Sequence, residues 1–283
     1  MSIKNIIINI EKESSPSRAD VSALLQAEGD DLKLLFSEAN QVRKANFGDD
    51  VFLRGIIEFS NYCNKNCFYC GIQEKNEKVH RYRISDEEII NTCKKIEGYG
   101  QTTVVLQSGE DFFYTKERMS KLIETIKKET SLAVTVSVGV RDKETYATWR
   151  ESGMDRYLLR FETSNKELFK KCNPDDDLDE RLEALNCLKS LGVQTGSGFL
   201  IGLPGQTYDE LAEDIIFCTN LNLDMIGVGP FISHPDTEFS KLENPFSKEV
   251  FFKVIAILRL LNTKAHIPST TAFDAIDKQG RNK

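Results

Sequence analysis

From residue 51 onward, short apolar runs alternate with longer amphipathic segments, and this alternation limits the folds that the chain can adopt. The apolar runs predict strands over residues 51–59, 102–107, 132–138, 156–161, 193–201 and 224–228, with 266–268 as a candidate seventh. The intervening segments predict helices over residues 85–99, 115–130, 141–153, 178–191, 207–221 and 247–261. Such alternation is typical of βαβ units and a parallel sheet. The sequence therefore predicts an α/β fold, a partial TIM-type (β/α) barrel of six to seven units, with a doubly wound open sheet as the alternative.

The first 48 residues follow a different pattern. Leucines and an alanine between residues 24 and 39 are spaced as short amphipathic helical faces, which Pro16 and Gly29 interrupt. We expect residues 1–48 to form an N-terminal helical extension that packs on a barrel domain of residues 49–283.

Three cysteines, Cys63, Cys67 and Cys70, directly follow the first predicted strand at the spacing C-x3-C-x2-C. Thiolates are the usual protein ligands of iron–sulfur clusters, so three of them can bind three irons of a [4Fe–4S] cluster and leave the fourth iron open to a small molecule. A structural zinc site normally has four protein ligands, and His80 lies ten residues away, outside zinc-finger spacing. Ordinary buried thiols are the remaining alternative, which the tight spacing disfavours.

The bulk composition argues against several classes of protein. The chain of 283 residues has a net charge of −7 and no basic run that would indicate a nucleic-acid-binding surface. No apolar stretch approaches the roughly 18 residues of a membrane span, and residues 3–10 lack the length and cleavage site of a signal peptide. The other cysteines are interpreted as free thiols in a reducing cytoplasm: Cys93, Cys172, Cys187 and Cys218. We therefore expect a cytoplasmic protein without a nucleic-acid or membrane partner.

Polar side chains gather where the predicted strands end, which is where the catalytic groups of (β/α) barrels lie. Ser108, Gly109 and Glu110 follow the second strand. The glycine permits close approach of a ligand, and Glu110 can accept from an ammonium group, although a turn or a helix cap is the alternative. Ser137 lies near the end of the third strand.

The fourth predicted strand ends with Arg160, Phe161 and Glu162, so Arg160 and Glu162 share one face of the strand. Such a pair is either structural or able to bind hydroxyl and carboxylate groups. Arg181 can offer a planar fork to a carboxylate, with a solvated helix arginine as the alternative. His234 is a candidate base or a structural loop histidine.

The cysteine motif, with the aromatic Tyr69 before its last cysteine, resembles the signature of radical S-adenosylmethionine (SAM) enzymes. Five further phrases resemble the HydE family within that superfamily, at residues 56–61, 106–111, 156–163, 202–207 and 229–237. HydE proteins are maturases that help to assemble the H-cluster of [FeFe]-hydrogenase. Biotin synthase and the methylornithine synthase of pyrrolysine formation are their relatives. The resemblance runs from about residue 20 to the end of the chain and implies a radical SAM enzyme with a TIM-type barrel.

The resemblance implies two cofactors, a [4Fe–4S] cluster bound by the three cysteines and SAM, which is cleaved to a 5′-deoxyadenosyl radical. Tyr69 is implied to lie against the adenine and the segment 108–110 to receive the amino group of SAM. Further SAM contacts are implied for Ser137, Arg160, Glu162 and Arg181. The substrate is implied to lie near Arg54, Thr135 and Met225, on strands that line the barrel cavity.

The implied substrate is a small sulfur-containing or organometallic iron species, and the implied partners are other hydrogenase maturases and an electron donor. Two alternatives stay open. Biotin synthase-like sulfur insertion would need a second cluster, for which the sequence offers no obvious cysteine set. A truncated, non-catalytic iron–sulfur scaffold is the other alternative, because the family continues beyond Lys283 and we expect C-terminal barrel strands to be missing. Phe161 also departs from the family, since some members carry a histidine there.

Overall fold

A computed structural model describes residues 2–12 and 15–273 of the chain. Three helices come first: α1 (Ile3–Glu11), α2 (Arg18–Leu25) and α3 (Gly29–Phe47). The strands are β1 (Gly55–Ser60), β2 (Thr103–Ser108), β3 (Ala133–Ser137), β4 (Arg156–Leu158), β5 (Gln194–Ser197), β6 (Leu200–Ile201), β7 (Met225–Ile226) and β8 (Gly229–Pro230). The other helices are α4 (Asp86–Gly98), α5 (Lys116–Glu129), α6 (Lys143–Glu151), α7 (Lys166–Cys172), α8 (Leu178–Ser190), α9 (Tyr208–Asn220) and α10 (Lys248–Leu261).

Six strands form one parallel sheet in the order β1-β2-β3-β4-β5-β7, and β6 pairs with β8 just beyond β5 and β7. Strands that follow one another in the chain are neighbours in the sheet, whereas a doubly wound sheet reverses its order at a switch point. His266 forms a parallel bridge with Met225, so the candidate seventh strand lies beside β7. Within the described residues, β1 and the His266 segment form the two edges. The α/β fold is a partial (β/α) barrel, as predicted.

Three predicted strands differ from the observed ones by at least three residues at one end or by a break. β1 begins at Gly55 instead of residue 51, because residues 51–53 are exposed and unpaired in the described part of the chain. β4 ends at Leu158, three residues earlier than predicted. The strand predicted over residues 193–201 is divided at Gly198, where a Cβ atom would lie 2.0 Å from the carbonyl oxygen of Gly227. This close approach of two backbones requires glycine.

The helix boundaries agree with their capping signals. Ser85 caps α4 and exchanges hydrogen bonds with Glu88, the capping box that the sequence predicts. Helix α7 was not predicted, because it has seven residues and its sequence shows too little of a helical period. Asn165 caps it by accepting from two backbone N–H groups. Since α7 lies between β4 and α8, it places Cys172 and Asn173 beside the cysteine loop.

Two apolar cores cover the sheet. The first packs β1 to β4 against α4, α5, α6 and α8, and it contains the fully buried rings of Tyr146, Trp149 and Tyr157. The second joins α1, α2 and α3 to α9 and α10, and it includes Phe161 and Phe199. The N-terminal helices therefore pack on the side of the barrel that carries β5 and β7. Among the described residues, no helix combines the length and the apolar character that a membrane span requires.

Candidate active site

The cysteine loop leaves the C-terminal end of β1, and backbone hydrogen bonds hold it in place. The Phe68 N–H donates to the carbonyl of Cys172 at 2.9 Å, and the Glu74 N–H donates to the carbonyl of Lys65 at 2.9 Å. The Arg81 guanidinium donates to loop carbonyls on both sides, at 2.5 Å to Asn61 and 2.6 Å to Gln73. The loop is thus fixed before any ligand is bound.

The three thiols are free and partly buried. The Glu110 N–H donates to Cys63 Sγ at 3.3 Å. Burial raises the pKa of the Cys67 and Cys70 thiols, so thiolates here need positive charge from a bound metal centre. Within the described residues, no three His, Cys, Asp or Glu side chains converge on a point where one metal ion could bind. The ligands of an iron–sulfur cube bind separate irons, so the three thiols need not converge on one point.

Glu110 lies buried at the end of β2, beside two glycines that leave room for it and for the cysteine loop. Its side chain is 6% exposed, and burial raises its pKa. At Gly109 a Cβ atom would lie 2.3 Å from the Tyr62 carbonyl oxygen and 2.7 Å from Cys63 Cβ. At Gly139, where φ is +83°, a Cβ atom would lie 2.3 Å from Glu110 Oε2. Both positions therefore require glycine.

Lys65 and Asp176 belong to the site although the sequence did not reveal them. Lys65 Nζ lies 3.9 Å from Glu110 Oε1 and 3.3 Å from Asp176 Oδ1, and the Asp176 side chain is 1% exposed. Arg181 Nε donates to Asp176 Oδ2 at 2.8 Å, and its Nη1 donates to the Arg160 carbonyl at 2.8 Å. Arg181 is therefore buried, and its guanidinium group is fully hydrogen-bonded, so the alternative of a solvated helix arginine is wrong.

Arg160 and Glu162 meet on one face, as their spacing predicts. Arg160 Nη2 lies 3.0 Å from Glu162 Oε2, in an ion pair without hydrogen-bond geometry. These two atoms and Arg160 Nε are buried and have no hydrogen-bond partner among the described residues. Glu162 has a φ of +66°, which is unusual for a residue other than glycine and is a form of strain found at ligand sites. Phe161 between them is fully buried in the second core.

The other predicted residues occupy different depths of the barrel. Thr135, on β3, has a buried hydroxyl that lacks a partner within the described chain, and Met225, on β7, is 7% exposed. Ser137 ends β3 beside Gln107. Arg54 precedes β1, at the opposite end of that strand from the cysteines, where burial and Arg156 lower its pKa.

Three further predicted residues lie in the cysteine loop or close to it. The Tyr69 hydroxyl donates to Asn173 Oδ1 at 3.0 Å, and burial raises its pKa. The His234 ring packs against Gly71, where a Cβ atom would lie 2.6 Å from the ring. Ser108 donates to the carbonyl of Gly109 at 2.6 Å. His234 is thus placed to support the loop.

Asp214, on α9, holds the loop that follows β4. Its fully buried carboxylate accepts from the N–H and the hydroxyl of Ser164 at 2.5 and 2.6 Å, and from the Thr163 hydroxyl at 3.2 Å. It also accepts from the Gln206 amide at 2.7 Å, and Gln206 accepts from the Gly202 N–H at 2.7 Å. Burial raises the pKa of Asp214 to about 7. One carboxylate thus joins the loops after β4 and β6.

We expect Asp214→Asn to lower the free energy of unfolding by about 2–4 kcal/mol, because its amide group would face buried donors. Chemical denaturation measures this loss. Glu213→Gln on the same helix is the matched control, since Glu213 pairs with Arg18 at the surface, where the side chains are 48% and 56% exposed. A surface pair contributes less than about 1 kcal/mol. Equal losses in the two variants would contradict a structural role for Asp214.

The sequence matches the Radical SAM superfamily over residues 57–218. The chain belongs to the radical SAM superfamily. This radical SAM enzyme is 44% identical over 247 residues to the [FeFe] hydrogenase maturase subunit HydE of Thermotoga maritima. The aligned residues make up 87% of this chain and 70% of the relative. It is 34% identical over 262 residues to the 3-methylornithine synthase of Methanosarcina acetivorans, and the aligned residues make up 91% of this chain and 74% of that relative.

A solved structure of methylornithine synthase (PylB) is also similar to this radical SAM enzyme. Its TM-score is 0.88 at 29% identity, over 96% of this chain and 81% of that chain. The similarity agrees with the barrel assignment.

The residues present fit the cofactors that the superfamily implies, an iron–sulfur cluster and SAM. Cys63 Sγ receives a backbone N–H, as the sulfur ligands of clusters commonly do. The orphaned atoms of Arg160 and Glu162 are polar groups that a ligand with hydroxyl groups would satisfy. Gly109 and Gly139 allow the cysteine motif and the Glu110 carboxylate to approach the ends of β2 and β3 closely, which brings the two groups together.

Proposed function

We propose that this enzyme binds a [4Fe–4S] cluster and SAM and acts on a small sulfur-containing substrate during assembly of the [FeFe]-hydrogenase H-cluster. When bound, the two cofactors supply a 5′-deoxyadenosyl radical by one-electron cleavage of SAM. The observation that carries the proposal is the 44% identity to HydE, against 34% to the 3-methylornithine synthase. Other hydrogenase maturases and an electron donor are the partners that this function requires.

The residues around the cysteine loop bind and orient the cofactors. Cys63, Cys67 and Cys70 bind the cluster. Glu110 accepts the ammonium group of SAM, because it is a buried carboxylate whose N–H already contacts Cys63. Lys65 lies 3.9 Å from Glu110 Oε1, and its positive charge opposes the effect of burial, which raises the pKa of that carboxyl group.

Glu162 and Arg160 bind the ribose hydroxyls of SAM, since their orphaned atoms offer one acceptor and two donors. Arg181 was expected to contact the SAM carboxylate directly, but its guanidinium group is already fully hydrogen-bonded within the protein. Asp176 and the Arg160 carbonyl engage all three of its guanidinium nitrogens. We infer that Arg181 attracts the carboxylate by its positive potential and holds the strand end that carries Glu162.

The substrate lies deeper in the barrel, beside Thr135 and Met225. The unpartnered Thr135 hydroxyl offers it a hydrogen bond. Arg54 and Arg156 place two guanidinium groups close together at the N-terminal end of β1 and β4, and after burial the charge of Arg156 is the second cause of the lowered pKa of Arg54. We infer that this end favours an anionic group of the substrate.

The test of this function is maturation in vitro. Inactive [FeFe]-hydrogenase is incubated anaerobically with the other maturases and with or without this protein, and hydrogen evolution is measured. We expect activity that depends on this protein. Formation of 3-methylornithine without hydrogenase activation would favour the methylornithine synthase function instead.

We expect Glu162→Gln to weaken SAM binding by at least tenfold while cluster content is unchanged. A hydrogen bond to a charged group contributes about 1.5–3 kcal/mol, and the substitution removes that charge. The SAM concentration that half-saturates the change in the electron paramagnetic resonance (EPR) signal measures affinity. Glu167→Gln, an exposed carboxylate on α7, is the matched control. Unchanged SAM affinity in Glu162→Gln would remove Glu162 from the cofactor site.

A further inference from the structure

A stack of arginine and aromatic side chains lies beside the cysteine loop. The Arg83 guanidinium lies 3.7 Å from the ring centre of Tyr62 and 4.5 Å from that of Phe113. The Arg118 guanidinium also lies 4.3 Å from the ring centre of Phe113. The stack, which we call the arginine–aromatic ladder, is completed by Arg81 against Tyr62 at 5.9 Å and Arg141 against Phe112 at 4.8 Å.

The ladder is denser than chance and open to solvent. Cation–π contacts of significant strength occur about once per 70–80 residues in proteins, whereas the ladder places several of them around one loop. The outer rings of Phe112 and Phe113 are 59% and 45% exposed. Exposed aromatic rings framed by arginine are the composition of protein–protein hot spots. We therefore interpret the ladder as a docking surface.

The inner end of the ladder is continuous with the cysteine motif. Tyr62 is the residue before Cys63, and its carbonyl lies against Gly109. Arg81 donates to carbonyls on both sides of the motif, at Asn61 and Gln73. A protein seated on the ladder would thus lie directly beside the cluster site.

The ladder carries an excess of positive charge on a chain whose net charge is −7. Arg83 is paired with Asp111 and Arg118 with Asp86. Within the described residues, neither Arg81 nor Arg141 forms an ion pair, and both bind backbone carbonyls. Charge complementarity therefore favours an acidic partner, which the rest of the chain would repel.

We propose that the arginine–aromatic ladder docks a small acidic protein that carries a single low-potential electron to the cluster. The proposal rests on the proposed function, which requires that electron. In the transfer the partner is oxidised by one electron and the cluster is reduced by one electron, and no bond is formed or broken. The ladder brings the two centres together.

The test is anaerobic stopped-flow reduction of the reconstituted protein, followed by bleaching of the cluster absorbance. Two reductants are compared: reduced flavodoxin, an acidic one-electron carrier, and dithionite, which is small and needs no docking surface. The variant Phe112→Ala/Phe113→Ala removes the exposed rings. Tyr99→Ala, a ring that is 79% exposed after α4 at the other end of the barrel, is the matched control.

We expect the double variant to slow reduction by flavodoxin about tenfold or more, while the rate with dithionite is unchanged. Higher ionic strength should slow the flavodoxin reaction of the unsubstituted protein and of the double variant alike, because the substitutions leave the arginines in place. An unchanged flavodoxin rate, or an equal slowing with both reductants, would overturn the docking role. A protein that forms no cluster reducible by dithionite would instead contradict the proposed function, so the two failures are distinguishable.

Discussion

Replacing Cys67 with alanine is expected to abolish both cluster binding and SAM cleavage. A cube that is held by three thiolates loses an anchor in this variant, and the loop offers no replacement. Cys172 contacts the loop through its carbonyl, but its side chain is fully buried in an apolar cluster with Leu200 and Phe231. Iron and sulfide content after anaerobic reconstitution, with 5′-deoxyadenosine formation, measures the loss.

Cys187→Ala is the matched control, because Cys187 is a partly buried thiol on α8 outside the motif. We expect it to keep the full iron content and the activity. A complete [4Fe–4S] signal in Cys67→Ala would refute the ligand assignment.

Gly109→Ala is expected to reduce SAM cleavage by about a hundredfold or more, because misplacement of a site by about 1 Å has effects of this size. The added Cβ atom would lie 2.3 Å from the Tyr62 carbonyl oxygen and 2.7 Å from Cys63 Cβ. Both contacts are with backbone or the first side-chain atom, so the cysteine loop itself must move. The shift also separates Cys63 Sγ from the Glu110 N–H. Turnover and cluster content are measured together.

Gly98→Ala is the control for this substitution. Gly98 ends α4, and no described atom comes within 4 Å of the position that its Cβ atom would occupy. Alanine favours helix over glycine by up to about 1 kcal/mol, so this variant should be as stable as the unsubstituted protein or slightly more stable. Equal activity of the two variants would show that the space at Gly109 is not needed.

The parts of the fold that could be predicted are those with a local signal. The capping box of Ser85 and Glu88 marks the start of α4 in a few residues. The alternation of Arg160, Phe161 and Glu162 correctly assigns Arg160 and Glu162 to one face. The sequential strand order follows from the βαβ pattern and the preference for right-handed crossovers.

The parts of the site that could not be predicted depend on distant contacts. Asp176 is one of three consecutive aspartates, and burial against Lys65 and Arg181 alone distinguishes it from its exposed neighbours. Gly139 belongs to no sequence motif. It is required because the Glu110 side chain, from the neighbouring strand end, packs against it. Long-range geometry of this kind leaves no mark at short sequence spacing.

Several predictions stay untested by the structure. The division into an N-terminal extension of residues 1–48 and a barrel domain of residues 49–283 is one, and the ligand roles of the site residues are another. Biotin synthase-like sulfur insertion still lacks a second cysteine set, because the other four cysteines lie on four different helices of the described chain.

The binding of SAM to an open iron of the cluster is tested by EPR of the anaerobically reconstituted and reduced protein, with and without SAM. We expect a [4Fe–4S] signal that shifts when SAM is added, since the fourth iron is open to it. A cluster signal that does not change on addition of SAM, or no cluster at all in the folded protein, would refute this assignment.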